Sequence, residues 1–171
     1  MPKRKIIIPI GPSIAYVPLT QGQFALIERE DAELSGVCNW CAQWSRTKNG
    51  FYARGRPGGN LIDLHRFLLE LRPGDMRQGD HRNRNTLDFR RCNLRIATRG
   101  QNQQNRGKSC RNTSGYKGVY WYKNRGMWLV KIGVDARFEH IGYFPADQKE
   151  RAIAAYAEAA GRLHGEFARV S

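Results

Sequence analysis

The sequence predicts an α+β chain: a small β-rich region at the amino end, a ββα unit in the middle, and a three-stranded antiparallel sheet packed on one helix at the carboxyl end. Three observations predict it. Short apolar runs bounded by Pro, Gly and Asn fill residues 1 to about 64. Residues 116–144 alternate apolar and polar side chains, the period of half-buried strands. An alanine-rich stretch over residues 146–163 repeats its small and apolar residues at helical spacing.

The first region reads as strands at residues 6–10, 15–18, 24–27, 40–44 and 51–54, with Trp40, Trp44 and Tyr52 building a small core. A turn at residues 56–60 leads through Leu61, Ile62 and Leu64 to a short helix over residues 65–71, stopped by Pro73-Gly74. His65 sits beside Phe67, Leu68 and Leu71, which suits a structural or phosphate-contacting histidine. Residues 77–111 are dense in arginine and asparagine, and Asp80 and Asp88 are their only acids. Leu87, Leu94 and Ile96 punctuate this block, so part of it must fold. Residues 104–112 read as a basic linker.

Beyond the linker, turns at residues 123–126 and near 135–136 divide the alternating stretch into three strands. Val119, Trp121, Trp128, Val130, Ile132 and Ile141 are expected to face the helix. Ala152, Ala155, Tyr156, Ala159 and Leu163 form the helix's answering face, small enough for close approach, and Gly165 lies beyond its end. The expected domains are 1–103, a linker at 104–112, and 113–171.

Twenty-nine Lys and Arg against fifteen Asp and Glu leave a net charge of +14 on 171 residues, far more than solubility requires. A polyanion is the usual reason for such a field, and nucleic acid is the expected partner. A membrane is not: no run approaches the roughly 20 apolar residues of a span. Ile6-Ile7-Ile8 is broken by Pro9 and Pro12 and is too short for a signal peptide, so a cytoplasmic, reducing location is expected. Cys38 and Cys41 have the spacing of half a zinc site, but Cys92 and Cys110 are too far apart to complete it. Cys38 and Cys41 flank Trp40 in an apolar patch, which suits buried structural thiols.

The chemistry-bearing string runs from Gly79-Asp80-His81 through Asn93-Leu94-Arg95 to Asn102. Hydrolysing a phosphodiester needs a base for water, a cation for the developing charge, and a scaffold for both. Asp80 and His81 offer a hard oxygen ligand and an imidazole. Consecutive side chains of an extended segment point to opposite sides, so a backbone turn is expected between these two. Asn93 and Asn102 can orient an imidazole or ligate a metal without adding charge.

On these residues the segment resembles the ββα-metal motif of HNH endonucleases, in the branch of phage and intron-associated homing enzymes. The resemblance implies a divalent metal ion, magnesium or manganese, held by Asp80 and Asn102. His81 would be the general base, and Asn93 would hold His81 and the hairpin in place. The substrate implied is double-stranded DNA in a bacterial or phage-infected cell, with nicking or double-strand cutting both open, and one catalytic centre per chain suits a nicking monomer.

Residues 113–169 carry Ser114-Gly115-Tyr116-Lys117-Gly118-Val119, Trp128, Ile141-Gly142-Tyr143-Phe144 and His164-Gly165-Glu166-Phe167-Ala168. They resemble the sheet-and-helix DNA-binding domain of plant ethylene-response factors, a module found fused behind phage HNH nucleases, and residues 1–75 resemble the amino-terminal region of such nucleases. The DNA contacts expected are Arg82, Arg84, Arg90, Arg91 and Arg95 in the nuclease segment, and Arg106, Lys108 and Arg111 in the linker. In the last domain they are Lys117, Tyr120, Tyr122, Lys123, Arg125, Lys131, Arg137 and His140. Two other classes compete: a DNA-binding regulator keeping a decayed HNH centre as scaffold, and a zinc-dependent DNA-binding protein using the cysteines.

Overall fold

A computed structural model describes residues 2–46 and 49–170. Met1 and Ser171, the outer ends of the expected first and last domains, lie outside the described residues, as do Thr47 and Lys48. The chain is a mixed α+β protein with several small sheets and a carboxyl-terminal helix, and it divides into two compact units, Met1–Thr98 and Arg99–Ser171. No helix among the described residues is long and apolar enough to cross a membrane.

In the first unit β1 (Ile14–Pro18) and β2 (Phe24–Glu28) form an antiparallel pair. Ala15 and Val17 alternate with Ala25 and Ile27 into the core, as a half-buried ribbon requires. A turn at Arg29–Asp31 and the one-turn α1 (Ala32–Ser35) lead to a sheet of β3 (Cys41–Ser45), β4 (Gly50–Gly55) and β5 (Ile62–Asp63). Then come α2 (Leu64–Leu68) and an antiparallel ribbon of β6 (Gln78–His81) and β7 (Leu94–Ala97). Trp40, Leu64, Leu68, Phe89 and Leu94 share one core with the β1–β2 residues.

Four expectations for this unit are corrected. Residues 6–10 make a single bridge, Ile7 to Tyr16, and Ile10 is 100 % exposed, because Pro9 interrupts the donors a strand needs. Trp44 is 48 % exposed and packs edge-on against Phe51 at 5.0 Å, leaving Trp40 to fill the core. Cys41 is exposed while Cys38 is partly covered, so only Cys38 behaves as an apolar thiol, and burial raises its pKa. The helix expected over residues 65–71 stops early: the Arg66 guanidinium donates to the carbonyls of Arg72, Asp75 and Arg77 at 3.0, 3.2 and 2.9 Å and folds the chain back.

The second unit opens with α3 (Arg99–Gln104), so it takes in residues 104–112 as well. The Lys117 ammonium donates to the Arg106 carbonyl at 2.8 Å, tying that stretch down. The sheet is β8 (Val119–Tyr122), β9 (Met127–Val134) and β10 (Arg137–Pro145), in the order β10-β9-β8, followed by α4 (Lys149–His164). Asp135 and Ala136, at φ of 45° and 63°, form the two-residue turn between β9 and β10, a geometry matched to strand twist. Val119, Val130 and Ile132 pack on Ala152, Tyr156, Ala159 and Ala160 of α4, with Trp128, Ile141 and Leu163 at the margin. Trp121, expected in this core, is 40 % exposed and stacks edge-on with Trp128 at 4.9 Å instead. Near the end of α4, His164 donates from Nε2 to the Gly133 carbonyl at 2.8 Å, and burial lowers its pKa.

Helix and sheet approach closely at Gly118. Its φ is +73°, and a Cβ built there would lie 2.0 Å from the Tyr156 ring. Gly118→Ala is therefore expected to destabilise the chain by at least about 2 kcal/mol, combining overpacking with left-handed strain. Denaturant unfolding followed by circular dichroism checks this, and an unchanged midpoint would contradict the packing described.

Candidate functional site

The β6–β7 ribbon and the loop joining its strands carry Asp80, His81 and Asn93. The loop reaches back to β2: the Leu26 amide donates to the Leu87 carbonyl at 2.8 Å, and the Phe89 amide donates to the Leu26 carbonyl at 2.7 Å. Residues 87–89 thus run parallel to β2 as a short added strand, bridged at Leu26 and Asp88. Backbone groups alternate sides along a strand, so bonding of 87 and 89 to β2 turns the Asp88 carbonyl the other way. There it accepts two hydrogen bonds, from His81 Nδ1 at 3.0 Å and from Asn93 Nδ2 at 2.8 Å.

A carbonyl can only accept, so Nδ1 of His81 carries the proton and Nε2 is the ring's basic nitrogen. The ring is held between aromatic neighbours, Phe89 at 5.2 Å and His65 at 5.5 Å, both edge-on, and only 5 % of His81 is exposed. His65 lies so close to β6 that a Cβ on Gly79 would meet its Cδ2 at 2.3 Å. Asn93 completes the clamp, its Oδ1 accepting the Asn83 amide at 2.9 Å across the loop.

The Asp88 carboxylate is 3 % exposed and is the loop's second anchor. It accepts from Arg90 Nε and Nη2 at 2.9 and 2.7 Å and from Asn83 Nδ2 at 3.0 Å. The Arg90 hydrogen bonds hold its pKa below the usual aspartate value against the opposing effect of burial. Arg91 donates from Nε to Asp31 at 3.1 Å, and Thr86 donates to the Phe51 carbonyl at 2.6 Å, so the loop is fastened to the turn after β2 and to β4.

Asp80 precedes His81 in β6, and the turn expected between them is absent: both are in the extended strand and project to opposite faces. Asp80 sits directly across from Arg95, whose Nε and Nη2 both reach Oδ2 at 2.8 Å in a pair almost sealed from solvent. Arg95 was expected at DNA; its guanidinium is instead buried against Asp80. Arg90 and Arg91 are likewise committed to Asp88 and Asp31, whereas Arg82 and Arg84 stand exposed on the loop.

Asn102 lies on α3, in the second unit. Among the described residues no group of three or more His, Cys, Asp or Glu gathers as a metal cage, and Cys38, Cys41, Cys92 and Cys110 are free thiols. A carboxylate with an amide oxygen suits a hard ion that keeps most of its water, as magnesium does.

In the second unit Arg106, Lys108 and Arg111 are exposed, as are Lys123, Arg125, Arg137 and His140, while Lys117 is turned to its own backbone. Tyr120, Tyr122 and Lys131 share the sheet face away from α4. Sequence reasoning missed Asp88, although one acid followed two residues later by arginine in an arginine-rich block was a visible signal. It also missed Phe138 and Tyr143 on the outer sheet face. A bulge between His140 and Gly142 shifts the register, so Tyr143 pairs with Leu129 on that face and strict alternation fails.

The loop's anchoring is expected to depend on acid. The unfolded chain's Asp88 takes up a proton near pH 3.9, while the folded carboxylate resists to lower pH, so its stabilisation is complete above about pH 4 and is lost as the pH falls through the folded value. Asp88→Asn should cost about 2 kcal/mol at neutral pH and flatten the acid limb of a stability-versus-pH curve. Equal slopes for the two proteins below about pH 4 would show that Asp88 is not the anchor.

No family model matches this chain, and no solved structure does either. Over 90 residues the chain is 32 % identical to Protein 3.8 of Escherichia phage T7, an alignment covering 53 % of this chain and 72 % of the relative. At that identity and coverage, the chain belongs to the family of the phage T7 Protein 3.8.

Proposed function

We propose that the chain is an HNH-type DNA endonuclease that hydrolyses phosphodiesters with a divalent metal ion, with residues 78–102 as its ββα-metal motif. One observation carries this reading: His81 has its Nδ1 proton committed to the Asp88 carbonyl, which Asn93 also grips, so Nε2 is the ring's basic nitrogen and its direction is fixed. A base that accepts a proton from water must be neutral, fixed in tautomer and fixed in direction, and the clamp supplies the last two.

In this reading His81 takes the proton of the attacking water at Nε2, and Asn93 acts through His81 as a positioning residue. A magnesium-like ion at Asp80 and Asn102, the two ligands the resemblance assigns, would supply charge neutralisation at the phosphate. Arg82 and Arg84 on the loop, and the exposed cations of the second unit, draw in the polyanion. The carboxyl-terminal sheet and helix, which resemble the ethylene-response-factor domain, serve as a second nucleic-acid contact. The phage origin of the relative fits a homing or mobile nuclease.

A second reading is favoured by the burial of His81 and by the commitment of Asp80 to Arg95: a DNA-binding regulator in which the same clamp is only a scaffold. Incubation with supercoiled plasmid, with and without magnesium, separates the two. The nuclease reading expects nicked or linear product that requires the metal; persistent binding with no product favours the regulator.

His81→Ala is expected to lower the cleavage rate about a hundred- to ten-thousandfold while leaving DNA binding nearly intact. Asp80→Ala should also stop cleavage, but through the metal, so that excess magnesium or manganese restores part of its activity and none of that of His81→Ala. Cleavage by His81→Ala at close to the wild-type rate would refute the base assignment.

A further inference from the structure

The outer face of the β8–β9–β10 sheet carries aromatic and aliphatic side chains with Lys131 among them on the central strand. Register places Tyr120, Leu129 and Tyr143 in one row, Lys131 and His140 in the next, and Phe138 beyond them opposite Gly133. Phe138 is 72 % exposed, and Tyr120 and Tyr143 are each more than a third exposed. Cations prop the rings: Lys131 Nζ lies 5.0 Å from the Tyr120 centroid and 4.7 Å from that of Phe138, and the Arg125 guanidinium lies 5.1 Å from that of Tyr143. His140 packs on Tyr143 at 4.8 Å.

The unit's acids avoid this face. Asp147, Glu150, Glu158 and Glu166 lie on or beside α4, and Glu139 turns to Arg162, 4.0 Å away; only Asp135, in the turn, borders it. Lys123 and Arg125 stand exposed in the turn between β8 and β9, with Arg125 over Tyr143. That charge pattern fits a polyanion.

The exposed rings decide which form of it. The edges of paired bases in a duplex groove are donors and acceptors, and pressing them on Tyr, Leu and Phe rings would strip their water without replacing their hydrogen bonds. Unpaired bases instead offer flat apolar faces, which stack on aromatic rings while their edges stay in water and their phosphates meet the cations. We propose that this sheet face binds single-stranded DNA, with Tyr120, Tyr143 and Phe138 as stacking platforms and Lys131 and Arg125 on the backbone. The inference rests on the DNA-binding half of the function proposed above and not on cleavage. It extends the substrate to duplex bordered by an unpaired strand.

The test uses the full chain, with a fluorescent thymidine oligonucleotide of about 15 nucleotides and a duplex of equal length, compared by anisotropy at one salt concentration. The single strand is expected to bind more tightly. Tyr120→Ala and Phe138→Ala should each weaken it roughly five- to a hundredfold, and Phe138→Ala should leave duplex affinity little changed. Because both side chains are exposed, neither truncation opens a core cavity, and Phe138→Trp, which keeps a ring, should retain binding. Tighter duplex binding that both alanine variants weaken equally would place the face in a duplex groove and overturn the proposal. So would single-strand affinity that neither variant changes. Loss of all DNA binding by the wild-type chain would sink the nuclease reading too, whereas strand binding without plasmid cleavage would sink that reading alone.

Discussion

The direction of one backbone carbonyl, that of Asp88, organises the candidate site. Because Leu87 and Phe89 bond to Leu26 of β2, strand geometry leaves the Asp88 carbonyl no choice but to face the ribbon. There it selects the His81 tautomer and anchors Asn93 together. The buried Phe89 ring locks the added strand into the core and at the same time forms one wall of the imidazole's slot. Core packing and the orientation of a titratable side chain thus depend on the same three residues. A shift of the loop by one residue would reverse every one of those directions.

Around that carbonyl the charges are neutralised locally. Asp88 with Arg90, Asp31 with Arg91 and Asp80 with Arg95 are each paired at hydrogen-bond distance, so an arginine-dense segment folds without accumulating buried charge. Asp80 and Arg95 are buried on both sides, so removing one would leave the other uncompensated, which makes that pair stricter as a constraint on geometry than as a source of net stability. Arg82 and Arg84 are exposed on the loop.

The second unit solves a different problem. Its helix presents small residues so that the sheet can lie close, and Gly118 is the point of closest approach. The bulge near Ile141 keeps both Ile141 and Phe144 on the helix side while delivering Tyr143 to the outer face. One extra residue in β10 therefore separates a packed face from an aromatic, basic one.

The sequence by itself determined the α+β class, the hairpin turns at residues 123–126 and 135–136, the alanine-faced helix and the grouping of Asp80, His81 and Asn93 on neighbouring stretches of chain. These features follow from period, turn chemistry and short-range spacing, all of which are local. Only the tertiary structure decided that Trp40 rather than Trp44 fills the core, that Arg95 turns inward to Asp80, and that Asp88 is the pivot of the site. It also decided the face on which Tyr143 emerges. Each of these depends on a partner distant in sequence or on a register shift, and neither leaves a trace in the composition of a short window. Leu26, which aims the Asp88 carbonyl, lies more than sixty residues upstream of it.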